Sequence, residues 1–206
     1  MLTSLTRLLM LLMLTATVLI LNSCGTTPPS KFYMLEPMAS TAAMPASAGG
    51  KTAAHIGIGP VRFAGYLDTN RIVTRQEGTE IKLSETHRWA ESLNDNFARI
   101  LAQNLSILMA TDKVSLYPSR NWSEIDYQIL VNVWQLDASN KGKVTLVANW
   151  SIRDKDDAEL LTMKKSAYST NVESTASYND IVRALSKTVE SLSREIAEAV
   201  ESVQAH

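Results

Sequence analysis

The chain has 206 residues, 45% of them hydrophobic, with 20 Lys and Arg against 21 Asp and Glu for a net charge of -1. Mixed signs near neutrality give no electrostatic case for nucleic acid, and no run of basic residues marks an anionic-lipid site. The length is ample for a real hydrophobic core, and no repeat of 20 to 50 residues is visible, which excludes a solenoid.

The first element is a leader. Arg7 is its only fixed side-chain charge, and an apolar run from Leu8 to Leu21 follows. This reads as the charged and apolar regions of an export signal, too short to span a bilayer comfortably. The run ends in Leu21-Asn22-Ser23-Cys24, and Cys24 is the only cysteine of the chain. From Gly25 to Ser30 the sequence is Gly, Thr, Pro and Ser, a short tether.

Phe32-Tyr33-Met34-Leu35 reads as a short strand stopped by Pro37, and the uncharged Ala/Ser/Thr/Pro/Gly stretch near residues 38-54 as a flexible insertion. That insertion lets the first strand pair with something distant in sequence. His55 to Phe63 is a strand that bulges or ends at an edge because of Pro60, and Arg71–Arg75 with Glu80–Leu83 reads as a hairpin. Leu93, Phe97, Ile100, Leu101, Leu105 and Leu108 recur at helical spacing, with Ser92 and Asp95 at capping-box distance and Thr86 as a rival start.

Val114 to Tyr117 is a short strand, and Trp122 sits in the loop after Pro118. Between Tyr127 and Leu136, Ile129, Val131 and Val133 fall on one face and Leu130, Trp134 and Leu136 on the other. Val144 to Ile152 alternates strictly, Ser139 to Gly142 joins the two as a hairpin turn, and Leu160 to Val172 is a third, more polar strand near an edge. A last helix from about Tyr178 to Val203 opens on Ser177 and Asp180 and carries Ile181, Leu185, Leu192, Ile196, Ala199 and Val203 on its apolar face. Its outer face of mixed charge is a solvated surface, or, at near-heptad spacing, a contact for a neighbouring subunit. The order predicts an α+β fold, a mainly antiparallel sheet with two amphipathic helices packed on one face.

No nucleophile elbow, HExxH motif or phosphate-cradling glycine loop is present. His55, His87 and His206 are scattered, and Asp154, Asp156 and Asp157 lack the EF-hand pattern and read as turn chemistry. Carboxylates such as Glu85 and Glu91 have nothing in sequence that brings them to one cleft, and the four tryptophans read as core and loop packing. Catalytic, cofactor and metal sites are therefore expected to be none.

Two resemblances carry the functional reading. Leu21 to Cys24 resembles the lipobox of bacterial lipoproteins, with Asn22 departing from the usual small residue. On that resemblance residues 1-23 are a signal peptide, 24-31 a lipidated tether, and Cys24 takes a diacylglycerol and an N-acyl chain such as palmitate. Three chains hold a protein on a membrane effectively permanently, and Gly25 in place of Asp implies the outer membrane. Acylated Cys24 also leaves no thiol for a disulfide, catalysis or metal.

Second, Phe32 to Leu35, Ile56 to Val61 running into Tyr66-Leu67-Asp68 and Arg71 to Arg75, and Arg88 to Leu93 opening the first helix resemble the PqiC-type auxiliary lipoproteins of ABC-type transport systems. Ser92 stands where relatives place proline, and the insertion near 38-54 is a further departure. The resemblance makes 32-206 one α+β auxiliary lipoprotein domain. It implies a non-enzymatic subunit on the periplasmic face of the outer membrane, anchored in outer-membrane lipid by its acyl chains. Its partners would be a periplasm-spanning MCE-domain protein and, through it, an inner-membrane permease, in intermembrane phospholipid transport that supports membrane integrity. A homo-oligomer is a further possibility. The competing readings are an outer-membrane biogenesis lipoprotein acting as plug or chaperone for a β-barrel and, behind it, a periplasmic hydrolase. Tyr66, Leu67, Asp68, Arg71 and Trp89 are the candidate interaction surface, since aromatic residues and Arg are enriched at contacts; the alternative is that Leu67 and Trp89 plug the core under the loop.

Overall fold

The computed structural model describes residues 28–39, 54–119, 122–156 and 158–205, together with Met10. The rest of the leader, Cys24, Gly25, most of the insertion, Asp157 and His206 lie outside the described residues. Eight strands, β1 (Lys31–Tyr33), β2 (Ile56–Phe63), β3 (Arg71–Arg75), β4 (Ile81–Trp89), β5 (Val114–Leu116), β6 (Tyr127–Ser139), β7 (Lys143–Asp154) and β8 (Glu159–Asn171), form one sheet. Two long helices pack on it and on each other, α1 (Leu93–Leu108) and α2 (Tyr178–Gln204).

The α+β class and the two helices are as the sequence predicts, but the sheet is mixed and not mainly antiparallel. β3·β4, β6·β7 and β7·β8 are antiparallel, while β1·β4, β2·β5, β2·β6 and β3·β6 are parallel. Parallel neighbours need a crossover of a dozen residues or more. The 64–113 segment, which includes the β3–β4 hairpin and α1, is that crossover between β2 and β5. β1 pairs with a strand distant in sequence, Tyr33 opposite Trp89, and β8 lies at an edge.

The core follows from the alternation. Ile129, Val131 and Val133 of β6 and Val144, Leu146, Ala148, Trp150 and Ile152 of β7 are buried beneath the helices. A bulge between Val133 and Gln135 then shifts the pleat by one residue. Leu136 and Ala138 thereby turn into the core, opposite Leu146 and Val144, while Trp134 is the extra residue and stands 57% exposed. Trp134 is thus not a core residue, and Leu136 does not share its face. A second bulge falls in β2 between Ile58 and Val61, where Pro60 interrupts the ladder.

In α1 the expected stripe is buried from Leu93 to Leu105. Each such aliphatic or aromatic side chain contributes roughly 1.5–3 kcal/mol by leaving water. Asn96 and Asn104 lie on the same buried face. Two details of its start differ from expectation: Arg88 and Trp89 end β4 and do not open the helix, and the Ser92 side chain makes no capping bond. The capping box does form at α2, where the Ser177 hydroxyl accepts from the Asp180 amide and the Asp180 carboxylate takes the Ser177 amide in return. The buried face of α2 centres on Val182, Leu185, Val189, Leu192, Ile196 and Val200. Ile181, Ala199 and Val203 flank it, half-buried.

Past β1 the chain runs extended across the helix pair, held by side chains. Asn96 Oδ1 accepts the Leu35 amide at 2.7 Å, Ser186 Oγ the Glu36 amide at 3.0 Å, and Asn104 Oδ1 the Met38 amide at 2.8 Å. Leu35 is buried beneath this strap.

Candidate functional site: a surface cleft at the start of α1

A cleft of about 890 Å³ opens where the end of β2, a 3-10 turn (Gly65–Leu67), the end of β4 and the first turn of α1 meet. Its lining is mixed; the apolar part comes from Val61, Phe63, Leu67, Trp89, Leu93 and Phe32 of β1, which is 64% exposed. Its polar groups are Arg62, Asp68, Asn70, Glu91, Asn94 and Asp95. The volume falls in the range that accommodates a ligand or an anchoring side chain.

The cleft is held by hydrogen bonds that start from α1. Asn94 Nδ2 donates to the Val61 carbonyl at 3.0 Å, tying the helix start to β2. Glu91 accepts from Asn96 Nδ2 at 2.8 Å and pairs with Arg99. Asn96 therefore links the cleft rim to the strap through its other atom.

The five sequence candidates divide in three. Leu67, Asp68 and Trp89 line the cleft, with Leu67 and Trp89 buried in the core and Asp68 exposed. Tyr66 turns away, and its hydroxyl donates to Asp137 Oδ2 at 2.9 Å. Arg75 Nη2 donates to the same oxygen at 2.9 Å, with its guanidinium 5.6 Å from the centre of the Tyr66 ring. Burial, then the negative charge of Asp137, pushes the Tyr66 phenol far up, and the hydrogen bond to Asp137 holds the Arg75 guanidinium firmly protonated. Tyr66 thus remains a donor throughout the physiological range. Arg71 is exposed and lies across the strand pair from Arg88.

The titratable groups elsewhere are occupied by packing. His87 stacks on Tyr178 with ring centres 3.8 Å apart, and its Nδ1 lies 2.8 Å from the Tyr33 hydroxyl. Burial, then Lys31, lowers its pKa. His55 Nε2 meets Ser115 Oγ at 2.8 Å. Asp154 closes its own turn by accepting the Asp156 and Ala158 amides. Among the described residues no group of three His, Cys, Asp or Glu could hold a metal ion, and no helix is long and apolar enough to cross a membrane.

Sequence reasoning missed Phe32, Arg62, Asn94 and Asn96 as parts of this region. Asn96 and Asn104 did leave a signal, since both fall at i+3 or i+4 within the apolar stripe, where an amide must find a buried partner. Asp137 left a similar one by interrupting the apolar end of β6.

Fold and cleft define an α+β domain with an aromatic-walled surface cleft beside its N-terminal strand. The chain belongs to the family of ABC-type transport auxiliary lipoprotein components, whose model matches residues 33–197. Solved structures show the same fold. A protein from Xanthomonas campestris assigned to DUF330 superposes with a TM-score of 0.68 at 13% identity, over 85% of this chain and 97% of that one. The crystal structure of an uncharacterized protein gives 0.64 at 16% identity, over 84% and 99%. No curated protein matches the chain.

Proposed function

We propose that the protein is a non-enzymatic subunit of an MCE-type intermembrane phospholipid transport system, held on the periplasmic face of the outer membrane by acyl chains on Cys24. The observation that carries this reading is the family match over residues 33–197, a family of transport components that are lipoproteins. The site agrees with a docking role. The cleft is a concavity with the exposed Asp68 on its rim and the core residues Leu67, Trp89 and Leu93 at its base, a shape that can receive a partner's side chain. Two of the polar groups around it, Asn94 and Glu91, are engaged in positioning α1.

In this account the lipid anchor fixes the domain and the cleft receives an edge of the MCE-domain protein, which in turn reaches the inner-membrane permease. Mass spectrometry of the mature N-terminus, with crosslinking in native membranes, tests it. A triacylated Cys24 and recovery of an MCE-domain protein are the expected results. An unmodified Cys24, or recovery of a β-barrel and its assembly factors in place of the MCE protein, overturns the reading.

A further inference from the structure

The sequence contains no run of basic residues, yet the fold assembles cations on the side of the sheet that faces away from α2. On β1 and β4, Tyr33 and His87 turn toward Tyr178 of α2 and Trp89 enters the core. Strand alternation therefore sends Phe32 and Arg88, directly opposite each other, to the other side. Arg71 on β3 is in turn opposite Arg88. Like charges facing each other across strands repel, and the Arg88 Nε is shielded from solvent with no hydrogen-bond partner.

The middle of the same side repeats the pattern. Arg62, Asn132, Asn149 and Lys165 stand in one row across β2, β6, β7 and β8, since the rows on either side, Val61-Val131-Trp150 and Phe63-Val133-Ala148, pair on the core face. The bulge places Trp134 beside that row, and Met163, 56% exposed, lies against Asn149. Among the described residues Arg62, Arg71, Arg88 and Lys165 form no ion pair. Asp137 on this side is already neutralised by Arg75.

We propose that this face of the sheet lies on an anionic phospholipid surface, with Phe32 and Trp134 inserted at headgroup depth and Arg62, Arg71, Arg88 and Lys165 against the phosphates. Unpaired cations flanking exposed aromatic side chains complement such a surface in both charge and polarity. The tether points to the same occupant. Lys31 at the start of β1 lies seven positions after Cys24 (31 minus 24), a reach of roughly 25 Å at full extension. A domain held that close turns one face to the bilayer, and β1 itself carries Phe32. The inference rests on the lipidated-anchor reading above.

The test uses the mature lipoprotein, reconstituted into vesicles of brominated phosphatidylcholine with or without phosphatidylglycerol. Wild-type protein and Trp134→Phe are compared by flotation and by tryptophan quenching. The expected result is that both float, that the wild type loses emission which Trp134→Phe lacks, and that this quenching grows with phosphatidylglycerol. Arg62→Gln and Lys165→Gln each shift the balance between the surface-bound and lifted orientations by about fivefold toward lifted, the equivalent of about 1 kcal/mol per cation. Floating protein whose quenching is the same in wild type and Trp134→Phe overturns the inference and leaves the anchor standing. Quenching that ignores phosphatidylglycerol and both charge variants also overturns it. Failure of the wild type to float in either lipid overturns the anchor and this inference together.

Discussion

Asn104 of α1 donates its Nδ2 to Ser193 Oγ of α2 at 3.0 Å, and both residues are fully buried. The same asparagine takes the Met38 amide through Oδ1, so one side chain joins the two helices to the strap that follows β1. With Asn96 and Ser186 on neighbouring amides, the strap is fastened by side chains where a strand would use a ladder. The segment that follows β1 is thereby seated on the helix pair.

Replacing Asn104 by Leu removes both bonds and leaves the Met38 amide without its partner. A hydrogen-bonding group stranded this way costs about 1–3 kcal/mol. Asn104→Leu is expected to lower the denaturant midpoint accordingly, and to speed amide exchange at Leu35 to Met38 while exchange in β6 and β7 follows only the global loss. An unchanged midpoint and unchanged exchange at Met38 would show that the strap is held by other means.

Glu195 of α2 joins Lys164 at 2.7 Å and accepts from Tyr168, closing the β8 edge onto the helix. Burial works to raise its pKa, but the bonds from Lys164, Ser166 and Tyr168 outweigh it and hold the carboxyl below its ordinary value of 4.5. Burial, then Glu195, pushes the Tyr168 phenol up in return. A carboxyl depressed in the fold contributes stability that is present above its unfolded pKa and lost as pH falls through the folded one. Glu195→Gln is therefore expected to cost about 1 kcal/mol at neutral pH, a value already discounted for the half-exposed Lys164. The wild-type and Gln curves should converge in acid below 4.5; denaturation across that range checks it, and parallel curves would remove the role assigned to Glu195.

Two tryptophans on neighbouring strands should behave in opposite ways. Trp150 is fully buried with its Nε1 donating to Ser166 Oγ at 2.9 Å, while Trp134 is 57% exposed on the bulge. Trp150→Ala should cost about 3–5 kcal/mol and Trp134→Ala within about 0.5 kcal/mol. Equal losses in thermal melts would mean that the bulge does not place Trp134 outside the core.

Much of this fold was legible because its period is strict. Val144 to Ile152 alternates without error, and Ser177 with Asp180 announces the start of α2. Strand direction was not legible, because alternation is the same in parallel and antiparallel ladders. Which strand β2 or β3 adjoins is decided by the 64–113 crossover. The bulge at Trp134 escaped notice for a related reason: one extra residue reverses the parity of everything after it, and only the partner strand reveals the shift. Of the five residues grouped in sequence, Leu67, Asp68 and Trp89 line the cleft, Leu67 and Trp89 as buried core residues, whereas Tyr66 faces another way, as a neighbour in a tight turn does. Phe32, some 35 positions before Leu67 (67 minus 32), joins them only through the pairing of β1 with β4.

On the proposed function, the anchored domain acts by holding an MCE-domain partner in its cleft. A photo-crosslinking residue placed at Asp68, on the cleft rim and exposed, tests this most directly in native membranes, with Cys24→Ser as the control. The expected result is a covalent product with the MCE-domain protein that is lost when Cys24 is replaced. A product with a β-barrel protein, or no product at Asp68 from protein shown to be folded and anchored, would contradict it.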